Sequence, residues 1–217
     1  MNKGKCLIIS GGELKNPGDY LGIIHDAEYV IAADGGARHT PVLGLKPQLV
    51  VGDFDSLTED ELEYFRNTGV EIEYYPPVKD YSDTHLAILM ALERGYEDIT
   101  IIAALGGRID HTLANIMLLA LPEARRANLR IWDEGQEIRL VTEELKLEGQ
   151  PGTIISLLPL SETVHGVVTE GLEYKVPQET FRMGVPNGIS NVMTGEKASV
   201  QVKDGLLLAI INHKKGE

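Results

Sequence analysis

Roughly the first 135 residues alternate short apolar runs with helical patterns, and this alternation restricts the fold more than any other sequence feature. Strands separated by helices join one sheet as parallel neighbours, because each helix returns the chain across the sheet. The predicted strands span residues 6–10, 29–33, 49–51, 71–75, 99–104 and 129–132. The sequence therefore predicts an α/β fold with a Rossmann-like parallel-sheet domain over residues 1–135.

Three segments between these strands have the signals of helices, at residues 58–67, 82–94 and 110–119. The first opens with Thr58 and has Glu61 three residues later, which is the pattern of a capping box. The other two repeat leucine, isoleucine and methionine at the spacing of one helix face. Helices at these places are consistent with strand–helix–strand units.

The pattern changes after about Trp132, where helical spacing ends and short β-type runs are separated by Gly, Pro and Asn. Strands are predicted at residues 152–158, 164–169, 198–202 and 206–211. The stretch 171–191 contains Pro177 and Pro186 and is predicted to be an exposed loop. Residues 136–217 are therefore predicted to form an all-β sandwich.

The net charge and the cysteine content indicate which binding partners and which cellular compartment to expect. The net charge of −13 should repel nucleic acid and anionic membranes, so neither is expected as a partner. Cys6 is the sole cysteine, which excludes an intrachain disulfide and suits a reducing cytoplasm. No signal peptide and no apolar run as long as a membrane span are evident. A cytoplasmic location is therefore expected.

Six aspartates follow the ends of predicted strands. Because parallel strands end at one edge of a sheet, where ligands bind, these side chains should gather at that edge. Asp53 and Asp55 are two residues apart, a spacing that places both carboxylates on one side of an extended chain. The full set is Asp34, Asp53, Asp55, Asp80, Asp83 and Asp110.

Each aspartate also has an ordinary structural interpretation. Asp34 precedes two glycines, as turn residues do, and Asp80, Asp83 and Asp110 suit helix starts. The joint pattern nevertheless favours a hard cation that offsets the clustered charge. Mg²⁺ prefers carboxylate oxygens and is often shared with phosphates, whereas zinc would have at most His85 and His111 and no thiol.

Glycine pairs follow several of the same strands and indicate how phosphates could be held. Glycine lets backbone N–H groups approach an anion, and a following helix N-terminus favours negative charge. Arg108 adds a fixed cation, although turns also need glycine and an arginine is often a surface residue. No P-loop, no dinucleotide fingerprint and no nucleophile–base pair is evident. The pairs are Gly11-Gly12, Gly35-Gly36 and Gly106-Gly107.

The motifs "ADGGA", "VGDFDS", "KDYSDT" and "GGRIDHTLANI", followed by "GISN", together resemble the bacterial thiamin pyrophosphokinases over nearly the whole chain. The resemblance implies an α/β domain, a C-terminal β-sandwich that binds thiamin, and a homodimer. It also implies the reaction, in which ATP and thiamin give thiamin diphosphate and AMP with Mg²⁺.

The resemblance further implies roles for individual residues. It assigns metal binding to Asp53, Asp55 and Asp83, and further catalytic or supporting roles to Asp80 and Asp110. The ATP and phosphate contacts implied are Asp34, Gly35, Gly106, Gly107, Arg108 and His111. Ser190 and Asn191 match the thiamin-side motif, which is donated across the dimer interface. The aromatic partner of thiamin is either Tyr174 or Phe181, and both stay open.

Two other functions fit the residue pattern. One is a Mg²⁺-dependent diphosphokinase acting on another small alcohol, such as a pterin. The other is a Mg-nucleotide-binding regulatory module without turnover. The excess of carboxylates over what one bound nucleotide needs favours an enzyme, and release of AMP on adding thiamin separates the three.

Overall fold

The computed structural model describes residues 3–76 and 80–213. The chain divides into two compact units, Met1–Glu134 and Gly135–Glu217. Among the helices described, none combines the length and the apolar character needed to cross a membrane.

The first unit is built on six parallel strands in the order β6-β5-β1-β2-β3-β4. All six predicted strands are confirmed to within a few residues. In chain order they are β1 (Lys5–Ile9), β2 (Ala27–Ala33), β3 (Leu49–Gly52), β4 (Glu71–Tyr74), β5 (Asp98–Ile102) and β6 (Asn128–Asp133). The central strands are buried almost throughout, as expected for a parallel sheet that is covered on both faces.

The strand order reverses beside β1. The chain moves outward from β1 through β4 and then returns to place β5 on the other side of β1. Such a reversal opens a crevice at the carboxyl ends of the two central strands. The loops that follow β1 and β5 are therefore the walls of a potential binding site.

Within the described residues of this unit there are four α-helices: α1 (Leu21–Asp26), α2 (Glu59–Asn67), α3 (Asp83–Glu93) and α4 (Ile109–Met117). The three predicted helices are confirmed as α2, α3 and α4. Thr58 and Glu61 form the predicted capping box at the start of α2. The sequence analysis did not predict α1, a short helix with no buried residue.

The second unit contains two antiparallel sheets, with strand orders β12-β9-β14-β7 and β11-β10-β13-β8. One apolar core contains residues from both sheets, so the predicted sandwich is confirmed. The strands are β7 (Gln136–Val141), β8 (Glu144–Glu148), β9 (Ile154–Pro159), β10 (Thr163–Glu170), β11 (Pro177–Arg182), β12 (Gly188–Val192), β13 (Lys197–Gln201) and β14 (Leu207–Asn212).

The prediction of an exposed loop over residues 171–191 is wrong in part, because β11 and most of β12 lie within this stretch. Pro177 is compatible with β11 because β11 is the outermost strand of its sheet. Phe181 of β11 is only 1% exposed and belongs to the sandwich core. Pro177 does not exclude a strand here, because proline is excluded from central strands but not from edge strands. Pro186 lies between β11 and β12 and belongs to neither.

Replacing Thr58 by alanine removes the side-chain acceptor for the Glu61 amide in the capping box. We expect the free energy of unfolding to fall by about 1 kcal/mol. Urea denaturation followed by circular dichroism measures the change. Glu63→Ala is the control, because Glu63 is exposed in the middle of α2, and it should shift stability by at most about 0.5 kcal/mol. Equal losses in both variants would contradict a specific capping role.

Candidate active site

Three carboxylates from separate segments meet at the carboxyl edge of the parallel sheet. Asp34 follows β2, Asp53 follows β3, and Asp83 is the first residue of α3. One oxygen from each lies within 4.8 Å of the others. Three like charges at this separation repel one another unless a cation lies among them.

Gly52 makes this close approach possible. A Cβ atom at Gly52 would lie 2.9 Å from the Cβ of Asp34 and 3.2 Å from Oδ1 of Asp83. Its φ of +154° is also one that other residues rarely adopt. A side chain at position 52 would collide with Asp34 and Asp83, which explains why β3 ends in a glycine.

Asp34 supplies the strongest sign that a cation binds here. Its side chain is buried, and its Oδ1 atom accepts no hydrogen bond from any residue that the structure describes. A buried carboxylate oxygen without a partner is costly, and a hard cation is one way to satisfy it. The backbone at Asp34 has a positive φ of 42°, so local strain also accompanies this placement. The donor set of three carboxylates fits Mg²⁺.

The structure places Asp34, and not Asp55, with Asp53 and Asp83. The expectation that Asp53 and Asp55 share one side assumed extended backbone between them, but Phe54 has a φ of +62° and its ring packs into the core. Asp55 is exposed, and its amide donates to Oδ1 of Asp53 at 3.2 Å. Asp55 thus orients one member of the cluster and is not itself part of it.

A cleft of about 650 Å³ lies over the crevice between β1 and β5. Besides two of the three carboxylates, its walls are glycine-rich loops and polar side chains. The lining residues used below are Ser10, Glu13, Asp34, Gly35, Asp83, Thr84, Gly106, Gly107, Arg108, His111 and Asn115. Acidic groups and potential phosphate donors therefore line one cleft.

Arg108 and His111, two of the predicted phosphate contacts, line the cleft at the start of α4. Asp110 holds Arg108 through two hydrogen bonds of 3.1 and 2.5 Å, and it also accepts from the His111 amide. The guanidinium of Arg108 lowers the pKa of Asp110 to about 2. Asp110 therefore orients the arginine and is not grouped with the three clustered carboxylates. Asp80 is exposed and adjoins residues outside the described part of the chain.

The sequence analysis missed several residues of the cleft. Ser10 and Thr84 share a buried hydrogen bond of 2.9 Å, which ties the end of β1 to α3. Asn115 donates from Nδ2 to the carbonyl of Ala104 at 2.8 Å and so supports the loop after β5. Glu13 accepts a hydrogen bond from the Gly107 amide. Glu13 directly follows Gly11-Gly12, the glycine pair after β1, and this position is the sequence feature that could have indicated it.

In the second unit, the side chain of Asn191 is occupied by backbone groups. Its Oδ1 accepts from the Tyr174 amide at 3.0 Å, and its Nδ2 donates to the Tyr174 carbonyl at 2.7 Å. Tyr174 itself is 65% exposed. Asn191 therefore fixes the backbone of Tyr174, and its contact with thiamin stays a prediction.

Ser190 and Phe181 differ sharply in accessibility. Ser190 is exposed, has a φ of +59°, and lies where the pairing of β12 with β9 is irregular. Phe181 is buried in the sandwich core, so its ring cannot face a ligand without unfolding that core. Of the two aromatic candidates, the structure favours Tyr174.

Comparisons with known proteins cover both units. Residues 20–132 match the family model "Thiamin pyrophosphokinase, catalytic domain", and residues 142–207 match "Thiamin pyrophosphokinase, vitamin B1 binding domain". The thiamine pyrophosphokinase of Bacillus subtilis is 29% identical over 205 residues, covering 94% of this chain and 96% of that protein.

Solved structures show the same similarity. The crystal structure of the Bacillus subtilis enzyme superposes with a TM-score of 0.84 at 27% identity, covering 97% of this chain and all of that one. A thiamin pyrophosphokinase family protein from Enterococcus faecalis has a TM-score of 0.81 at 28% identity, covering 97% of this chain and 100% of its own. The similarity therefore includes both units.

The carboxylate cluster predicts a cation site that can be tested in the protein without substrates. Asp53→Asn should weaken Mg²⁺ binding by at least about tenfold, because it removes a charge and a ligand. The metal-free variant should be as stable as the original or slightly more so, since a like charge is removed. Isothermal titration calorimetry and thermal denaturation measure the two effects.

Asp55→Asn should weaken Mg²⁺ binding less than Asp53→Asn, because Asp55 lies outside the cluster. Asp60→Asn is the neutral control, an exposed carboxylate in α2. A larger loss for Asp55→Asn than for Asp53→Asn would contradict the assignment of the cluster.

Proposed function

Since the chain belongs to the thiamin pyrophosphokinase family, we propose that it transfers the diphosphate group of ATP to the hydroxyl of thiamin, with release of AMP. The observation that carries this proposal is the match of both family models to the two units. The catalytic-domain match includes all three clustered carboxylates. The first unit would thus hold ATP and the cation, and the second unit would bind thiamin.

In this reaction the thiamin oxygen forms a bond to the β-phosphorus of ATP. The bond from that phosphorus to the oxygen bridging the α- and β-phosphates breaks, and AMP leaves with this oxygen. The hydroxyl proton passes to a base or to water. Little covalent chemistry is required of the protein, so positioning and charge neutralisation supply most of the catalysis.

We assign the cation site to Asp34, Asp53 and Asp83. When bound there, Mg²⁺ would neutralise part of the negative charge of the ATP phosphates. The Asp55 amide holds the carboxylate of Asp53 in place. The unsatisfied Oδ1 atom of Asp34 supports the assignment, because the other described groups leave it without a donor.

The phosphates would be held by the glycine-rich loops and the side-chain donors of the same cleft. Gly35, Gly106 and Gly107 present backbone close to the cleft, and Arg108 and His111 add side-chain donors. The hydrogen bonds from Arg108 to Asp110 fix the guanidinium plane before a ligand arrives. A preorganised donor loses little conformational entropy when it binds an anion.

Asp110 is a poor candidate for the base that removes the hydroxyl proton. Its pKa is lowered to about 2 by Arg108, and an efficient general base has a pKa nearer the working pH. Asp34 is assigned to the cation, which leaves Asp80 to orient or deprotonate the hydroxyl.

For thiamin, we propose that Tyr174 provides an aromatic face for the cationic thiazolium ring and that Ser190 provides a polar contact. An exposed ring can attract a cation through its electron-rich face. Asn191 acts through Tyr174, since both of its hydrogen bonds to that residue clamp the backbone. Asn191 is therefore a positioning residue.

We also propose that the active enzyme is a homodimer in which the second unit of one subunit completes the site of the other. The segment that leads to Ser190 supports this, because Met183, Val185 and Ile189 are all more than half exposed. Several exposed apolar side chains on one segment are typical of an interface. On the first unit, α4 exposes Ile109 and Met117 beside the cleft residues Arg108 and His111.

A cytoplasmic location suits these properties. Cys6 is buried, and burial raises the pKa of its thiol to about 12, so the thiol is neutral and inert at physiological pH. The protein thus needs no oxidising compartment for its fold.

The proposed reaction is tested by identifying the nucleotide product. With Mg²⁺, ATP and thiamin, the protein should release AMP in equal amount to thiamin diphosphate, both measured by chromatography. Asp53→Asn should lower turnover by at least about a hundredfold, because it removes charge stabilisation. Release of ADP, or of AMP only with another alcohol, would refute thiamin diphosphokinase activity.

Mixing two impaired variants, at a thiamin concentration well below the raised KM, tests the shared site. Asp53→Asn disables the first unit, and Tyr174→Ala should raise the KM for thiamin by about ten- to a hundredfold while changing the KM for ATP little. In a mixed dimer with shared sites, one of the two sites contains neither substitution, so activity should return in part. If mixed dimers form and activity does not return, the second unit does not act across the interface.

A further inference from the structure

Glu13 lies in the cleft, on the loop that follows β1, and it bonds to the loop that follows β5. Its Oε1 atom accepts a hydrogen bond from the Gly107 amide at 3.1 Å. This amide lies two residues before the start of α4, where the helix dipole favours negative charge. A carboxylate oxygen of the protein therefore occupies a donor that is suited to a phosphate oxygen.

Two further contacts hold Glu13 in this position. Its Oε2 atom is 3.1 Å from Nζ of Lys15, and a Cβ atom at Gly106 would come within 2.8 Å of the Glu13 side chain. The hydrogen bonds from Lys15 and Gly107 lower the pKa of Glu13. The group is therefore a carboxylate at neutral pH, packed closely against the glycine loop.

We propose that Glu13 is a displaceable stand-in for phosphate, which occupies the Gly107 amide in the nucleotide-free enzyme and must leave when ATP binds. This inference rests on the proposed function, because it requires a polyphosphate at the loop of Gly106 and Gly107. Its consequence is that Glu13 weakens ATP binding and so contributes to setting the affinity of the site.

The charge distribution explains why displacement is required. A phosphate oxygen and the Glu13 carboxylate cannot both accept from one N–H group at full strength, and side by side they would repel each other. The cleft already contains the carboxylates of Asp34 and Asp83. The side chains of Lys15 and Glu13 are both exposed, so they can move away from Gly107 together and stay paired.

Removing the Glu13 charge should strengthen nucleotide binding. The probe is the ATP analogue with a methylene group between the α- and β-phosphorus atoms, which cannot be cleaved at the bond that breaks in the reaction. With Mg²⁺ and no thiamin, Glu13→Ala and Glu13→Gln should each lower its Kd by about three- to tenfold, with the larger effect in Glu13→Ala. Isothermal titration calorimetry measures the Kd, and circular dichroism confirms that both variants fold.

Glu93→Gln controls for the loss of one negative charge from the whole chain. Glu93 is exposed at the last turn of α3, about 15 Å along the helix from Asp83 in the cleft. Its Kd should stay within about twofold of the original, since charges this far apart are screened. A drop in Kd that is equal in all three variants would assign the effect to net charge and overturn the proposal.

The remaining outcomes are equally decisive. If both Glu13 variants bind the analogue with unchanged or weaker affinity, Glu13 does not compete with phosphate. If the original protein does not bind the analogue at all, there is no nucleotide to compete with, and the proposal is overturned together with the proposed function. If it binds the analogue but forms no AMP from ATP and thiamin, the proposed reaction fails while the test of Glu13 stands.

Discussion

The repulsion among Asp34, Asp53 and Asp83 is the constraint on which the rest of the site depends. One oxygen from each lies within 4.8 Å of the others, and the Oδ1 atom of Asp34 is buried with no donor among the described residues. Such an arrangement is unfavourable in isolation. The fold imposes it through the parallel sheet, which brings the ends of β2 and β3 together, and through Gly52, which leaves room for two carboxylates. A bound cation would convert this unfavourable cluster into a binding site.

Carboxylates of the protein also pair with donors that line the same cleft. Arg108 is held by Asp110, and the Gly107 amide is held by Glu13. Two of the potential phosphate donors are thus already paired with a carboxylate of the protein. These pairs give two exposed donors a partner within the protein. The two pairs would respond differently to a bound phosphate. Asp110 can stay on Arg108, whereas Glu13 and the phosphate would compete for the single N–H group of Gly107.

The second unit combines a buried core with an exposed aromatic side chain on a fixed backbone. The sandwich core includes Phe181, which gives β11 a fixed place. Above that core, Asn191 clamps the backbone of Tyr174 and leaves its ring exposed. An aromatic ring on a fixed backbone loses little entropy when it contacts a ligand. Under the proposed function, the polar side chain of Asn191 would act on thiamin recognition through Tyr174.

Sequence alone determined the parallel sheet, its three main helices, the sandwich class and the group of loops that carries the site. These features rest on local periodicity, on caps such as Thr58 with Glu61, and on motifs placed after strands. Tertiary structure alone decided that Asp34, rather than Asp55, joins Asp53 and Asp83. That choice depends on Phe54, whose ring enters the core and forces a positive φ between the two aspartates. Likewise, only the packing of distant segments shows that Asn191 bonds to Tyr174 and that Glu13 bonds to Gly107. Contacts between residues far apart in the chain depend on the packing of the whole fold, and no local pattern encodes them.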